Sequence, residues 1–107
     1  MKVQLELDVF SGRPNPSWDL DEATGRRLVE LLDKATSAPS SAEQPPPLGF
    51  RGFVVVVSDG SEVRRFRVFG GTVVVDGRAF PDPDRSIEKL VRASLPQTIR
   101  EEFSDLL

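Results

Sequence analysis

Three glycine-bearing pairs punctuate the second half of this chain at short intervals: Asp59-Gly60, Gly70-Gly71 and Asp76-Gly77. Between them lie runs rich in Val, Phe and Arg that are too short for helices. Residues able to take positive φ are what a tight hairpin between antiparallel strands requires. Strands joined this closely must pair with their neighbours in sequence, so residues 53 to 80 are held to an antiparallel meander. Phe53-Val54-Val55-Val56-Val57 is an unbroken, β-branched run and reads as its central strand. The returning strand, Glu62 to Phe69, is less regular. Val63 and Phe66 stand three apart, Phe66 and Val68 two apart. Burying all three on one face needs an extra residue, and a bulge near Arg64-Arg65 would supply it. Thr72 to Val75 and a short strand at Arg78 to Phe80 complete the meander.

The rest of the chain reads as one strand and three helices. Val3, Leu5, Leu7 and Val9 alternate with Lys2, Gln4, Glu6 and Asp8, the pattern of a strand with one wet face. A helix is expected to start at Asp19, with Glu22 completing a capping box and Trp18 stapling onto Ala23. Leu28, Leu31, Leu32 and Ala35 form its buried stripe, and it fades by Ser37. Residues 37 to 49 are a Pro/Ser-rich connection whose triple proline favours an extended polyproline II segment. It reads as a flexible crossover rather than as a ligand for a Pro-reading domain. Asp82-Pro83 opens a second helix, with Ile87, Leu90, Val91 and Leu95 on one side and Pro96 ending it. A last helix from Gln97 carries Ile99, Phe103, Leu106 and Leu107. The order β-α-β-β-β-(β)-α-α implies an α+β fold, a two-layer sandwich. A mostly antiparallel sheet of four to five strands would carry helices on one face. Neither side of the 37 to 49 loop could build a core of its own, so residues 1 to 107 form a single domain.

The charge balance, −3 over 107 residues, argues against bulk electrostatic binding to nucleic acid. With no Cys and no His, disulfides, thiolate chemistry and His-ligated metals are excluded. The alternating, charged start cannot be the apolar core of a signal peptide, and no apolar run is long enough for a membrane span. A cytoplasmic protein is expected, and the preference for Arg over Lys fits a GC-rich bacterial genome.

The segment that stands out is Phe10-Ser11-Gly12-Arg13-Pro14-Asn15-Pro16-Ser17-Trp18-Asp19. Pro14 and Pro16 fix their own backbone angles and push Arg13 and Asn15 toward extended conformations. Arg13 could hold a carboxylate or phosphate at two points. Asn15 could read an amide, Trp18 could offer a stacking face, and Asp8 closes the set. Each has a plainer reading: Arg13 on carbonyls of its own loop, Asn15 in an Asx-turn, Trp18 as a lid on the core. The stretch Phe10 to Pro16, with Trp18 behind it, resembles a segment of small bacterial proteins of unknown function. That resemblance covers about a tenth of the chain and implies no activity.

Two other clusters carry side chains suited to chemistry. From Phe50 to Phe80 five arginines face three acids. Arg64, Arg65 and Arg67, with neighbouring phenylalanines, could form a basic surface for single-stranded nucleic acid, or line a wet sheet face and pair with acidic helices. Asp76, Asp82 and Asp84 lack the spacing of a calcium loop, and Asp82 is more economically a helix cap; no metal or cofactor is expected. Glu6 and Asp8 make a carboxylate pair with nothing to differentiate them. Ser11 and Ser17 lack a histidine base, and Lys2, Lys34 and Lys89 stand in no suggestive context. The expectation is a small non-enzymatic binding or accessory protein that recognises a protein, peptide or small ligand through residues 11 to 18. The alternative is a His- and Cys-independent enzyme using a carboxylate and Arg13 in a pocket. The wet first strand, if at a sheet edge, would also allow a homodimer.

Overall fold

Alternation along the first residues produces β1 (Lys2–Leu7), in which Val3, Leu5 and Leu7 are buried and the residues between them are not. The computed structural model describes residues 1–9, 14–42 and 52–105. The valine run forms β4 (Phe53–Asp59), which lies between β1 and β5 (Glu62–Phe69), antiparallel to both. The meander continues through β6 (Thr72–Val75) and β7 (Arg78–Pro81). Gly70 and Gly71 link β5 to β6 with φ of 58° and 83°, so both central positions of that turn are left-handed. A turn of that hand matches the twist of the strands it joins.

Two short strands extend the sheet beyond what the hydrophobic pattern implied. β2 (Ser17–Asp19) pairs with β1, and the two-residue β3 (Ser41–Ala42) pairs with β7. Among the described residues the sheet is seven-stranded, in the order β2-β1-β4-β5-β6-β7-β3. Such short pieces join an edge through backbone hydrogen bonds, which need no apolar alternation. β1 is therefore not an edge strand, because β2 covers it. The triple proline of the 37 to 49 connection lies outside the described residues.

The β5 register corrects the expected bulge. Val57, Val56 and Val55 stand opposite Arg64, Arg65 and Phe66 in unbroken succession. Val63 simply faces outward, 61% exposed. The bulge was required only if every apolar residue of the strand had to be buried, and burial is a one-way rule: apolar atoms also make up much of any protein surface.

Residues directly opposite one another in a ladder share a face. One face thus collects Val3, Leu5, Leu7, Phe53, Val55, Val57, Phe66, Val68 and Val73. These join a single core with Leu28, Leu32 and Ala35 of α1 (Glu22–Ala35) and Ile87 and Val91 of α2 (Ser86–Ala93). Leu95 and Phe103, which flank α3 (Gln97–Glu102), complete it. The architecture is α+β, an antiparallel sheet with helices against this face. α1 lies close on β1: a methyl on Gly25 would come within 3.1 Å of Val3 Cγ2. Each large aliphatic side chain buried here stabilises the fold by roughly 1.5–3 kcal/mol. A one-residue slip of β1 would expose all three of its buried residues, so the core holds the register.

α1 begins two residues later than expected. Asp19 belongs to β2, and Asp21 is the cap, its carboxylate accepting the Thr24 N–H at 2.7 Å. Hydrogen bonds from the Thr24 side chain and backbone hold the Asp21 carboxyl below the usual aspartate range. Trp18 does not staple this helix, since its ring is turned into the core.

Asp82 caps α2 from a distance. A 3-10 turn (Pro83–Arg85) separates them, and Asp84 and Arg85 both take positive φ. The buried Asp82 carboxylate reaches across this turn to accept Ile87 N–H at 3.0 Å and Glu88 N–H at 3.1 Å. Glu88, also buried, accepts Gly70 N–H at 2.7 Å and Arg92 Nε–H at 3.1 Å. These bonds fasten the β5–β6 turn to α2. No helix among the described residues is long and apolar enough to cross a membrane.

Candidate functional site

Because β2 pairs antiparallel with β1, the two form a hairpin, which Asp8 and Val9 leave and Pro14 to Pro16 re-enter. β1 thus leads into a second strand and not directly into the helix. The ladder closes at its base with Leu7 N–H donating to Pro16 O at 2.9 Å. The next residue turns the other way: Asp8 N–H donates to Gly52 O at 3.0 Å, joining this arm to the start of β4.

Asn15 braces the two arms. Its Oδ1 accepts Val9 N–H at 3.0 Å, and its Nδ2 donates to Glu6 Oε2 at 3.2 Å and Asp8 Oδ1 at 3.4 Å. These partners lie on the opposite arm, six to nine residues away in sequence, and not within the Asx-turn suggested by the sequence. The other Asp8 oxygen, Oδ2, accepts Arg67 Nη2–H at 3.3 Å. The Asp8 side chain is 11% exposed and that of Arg67 33%. With Asp8 largely withdrawn from solvent, the pair is screened less than one between two exposed side chains. Both carboxylate oxygens of Asp8 thus accept internal donors, the geometry of a brace rather than of a free general base.

The four residues meet because of the sheet register. Glu6, Val54 and Arg67 stand abreast on β1, β4 and β5, on the face turned away from the helices. Asp8 follows Glu6 by two residues. Sequence reasoning identified Asp8 and Asn15 together and Arg67 separately. It treated Glu6 only as half of a carboxylate pair. The cross-strand neighbour is the missing information, and nothing local in the sequence reports it.

Trp18 is not part of this cluster. It stands opposite Leu5 on the helix-facing side, is 8% exposed, and donates Nε1–H to Ser94 Oγ at 3.1 Å. The lid reading describes its position; its faces are not presented beside Asp8 and Asn15. Arg13 lies outside the described residues.

The arginine surface is split by strand alternation. Arg65 and Arg67 lie on the open face, and Arg64 lies on the helix side. There Arg64 pairs with Asp33 at 2.9 Å and stacks its guanidinium 5.5 Å from the Phe66 ring centre. The three do not make one basic patch, and Phe66 is buried in the core. Of the aspartates considered for a cation, Asp82 has its carboxylate on helix N–H groups, and Asp76 and Asp84 are exposed at turns. Among the described residues no group of three or more potential ligands is brought together.

Fold and site together define an α+β domain. One face of its antiparallel sheet is packed by helices, and a cross-braced hairpin loop stands at one corner. The chain matches no family model, no curated protein and no solved structure in comparison with known proteins.

Proposed function

We propose that this chain is a binding module that recognises its partner through the loop 11 to 18 and the adjoining sheet face turned away from the helices. The observation that carries this reading is the Asn15 brace. One side chain ties Val9, Glu6 and Asp8 to the returning arm, and Asp8 is tied in turn to Arg67 on the sheet. The arm that carries Pro14, Asn15 and Pro16 is fastened to β1 and has little conformational freedom left to lose when it meets a partner. That saving is what preorganisation contributes to affinity. In this reading Asn15 and Asp8 are positioning residues, and Arg13 makes the contact.

The test is site-directed photo-crosslinking in the native host. A photoreactive residue replaces the exposed Pro14 in one variant and the exposed Asp84, on the helix layer, in another. Pro14 is expected to give a discrete adduct that Asp84 does not, and Arg13→Ala or Asn15→Ala is expected to abolish it. The reading fails if Pro14 yields no adduct, or if its adducts persist unchanged in both variants.

A further inference from the structure

We propose that two copies of this chain pair through β2, joining their sheets edge to edge around a two-fold axis at Trp18. This goes beyond the binding reading and does not depend on it. The argument starts from the ladder. Leu20 N–H donates to Val3 O and Leu7 N–H to Pro16 O, each at the spacing of a bonded pair. Bonded and non-bonded pairs alternate along an antiparallel ladder. The pair between them, Leu5 with Trp18, is therefore also bonded. Ser17 and Asp19 stand at non-bonded positions, so their N–H and C=O groups point away from β1. Among the described residues, no strand lies beyond β2 in the sheet and no hydrogen bond reaches these groups.

An unpaired row of this kind is a template for another strand. A second copy fits it for three reasons. With the two-fold at Trp18, Ser17 of one copy stands opposite Asp19 of the other. Each exchanges N–H and C=O with its counterpart, and the symmetry repeats the exchange. Both side chains are exposed and share the open face, so the Asp19 carboxylate meets a hydroxyl donor rather than a like charge. Self-complementarity of this sort is what a two-fold interface requires. Second, Pro16 does not block the edge, because its ring nitrogen is turned inward toward β1, where its own carbonyl accepts Leu7 N–H. Third, a groove of about 360 Å³ lies just past the end of β2, lined by Met1, Val3, Leu20 and Gly25 and by the charged Lys2, Asp21 and Glu22. Met1 is 55% exposed there. Running antiparallel, the partner's Pro16 heads past Leu20 toward this groove, which has room to receive it.

The experiment is sedimentation equilibrium of the whole chain from micromolar to millimolar concentration. The mass is expected to rise from 11.8 kDa toward twice that value. Ser17→Pro removes one outward donor per copy and leaves the inward ladder intact. It is expected to raise the dimer dissociation constant about tenfold or more, with an unchanged far-ultraviolet spectrum. Amide exchange on the unaltered chain gives a second readout that no folding defect can imitate. The Ser17 and Asp19 amides should exchange freely when dilute and slow markedly as the dimer forms. A wild-type chain that stays monomeric throughout overturns the proposal. So does a folded Ser17→Pro variant that dimerises as well as wild type, or a dimer whose Ser17 and Asp19 amides stay unprotected. Protection of those amides only when a different protein is added also overturns it.

Discussion

Replacing Asp82 with Ala should be among the most damaging single changes outside the apolar core. The carboxylate accepts two backbone N–H groups at the start of α2, and both bonds are buried. The residue just before the helix, Arg85, supplies no side-chain cap, so no other acceptor replaces it. A buried donor left without a partner costs about 1–3 kcal/mol, and loss of a helix cap costs about 0.5–2 kcal/mol. The two descriptions overlap, and water reaching the frayed turn would recover part of the cost, so the loss should be about 2–4 kcal/mol. That compares with a total stability of roughly 5–15 kcal/mol for an ordinary domain. The variant should therefore fold, with a Tm lower by about 10–25 °C at the usual slope for a domain of this size. Asp82→Asn keeps one carbonyl acceptor but points an N–H₂ at the other donor, and should lose about half as much. Urea unfolding followed by far-ultraviolet dichroism and by Trp18 emission measures both. The reasoning is refuted if Asp82→Ala falls within about 0.5 kcal/mol of wild type, or if Asp82→Asn is the more damaged of the two.

Two further outcomes follow from backbone geometry and from charge. Gly52 has φ of 103°, and an added Cβ would stand 2.8 Å from Val68 O; strain and overpacking each cost about 1–3 kcal/mol. Gly52→Ala should thus lose about 2–4 kcal/mol in the same urea assay, and a neutral result would mean that this backbone can relax. Asp21 has a depressed folded pKa, held down by the Thr24 bonds. Its stabilising effect is complete above the ordinary aspartate pKa, about 3.9, and is lost as pH falls through the folded value. Asp21→Asn should flatten the dependence of Tm on pH below about pH 4 and leave the slope at neutral pH unchanged.

Several parts of this fold were legible residue by residue. The alternation of Val3, Leu5 and Leu7, the Val54–Val57 run and the glycine turns describe β1 and the meander because strand pairing between sequence neighbours is a local matter. Asp82 was recognisable as a cap because a carboxylate before Pro83 has few other uses. The capping-box spacing to Glu22 pointed to Asp19 as the cap, but Asp21 is the residue that caps. The choice was made by Leu20 N–H, which bonds to Val3 O and so keeps Asp19 in a strand. β2 itself carries one apolar residue between exposed neighbours, too little for a periodic signal. The arginine surface dissolved for a related reason: a presumed need to bury Val63 suggested a bulge, and without it strict alternation parts Arg64 from Arg65 and Arg67.

The candidate site divides along the same line. That the segment around Asn15 is stiff and polar follows from Pro14 and Pro16 alone, because proline fixes its own φ whatever surrounds it. What Asn15 holds, and that Asp8 meets Arg67 across β4, was decided by the pairing of β1, β4 and β5. The chain by itself determined β1 and the face it buries, the meander strands with their glycine turns, and the presence of the helices, since these depend on neighbours a few residues away. Only the tertiary structure decided that β2 pairs with β1, that Trp18 is a core residue, and that, among the described residues, Ser17 and Asp19 form an unpaired edge. Those depend on backbone hydrogen bonds between distant segments, which are nearly indifferent to side-chain identity and so leave little trace in the sequence.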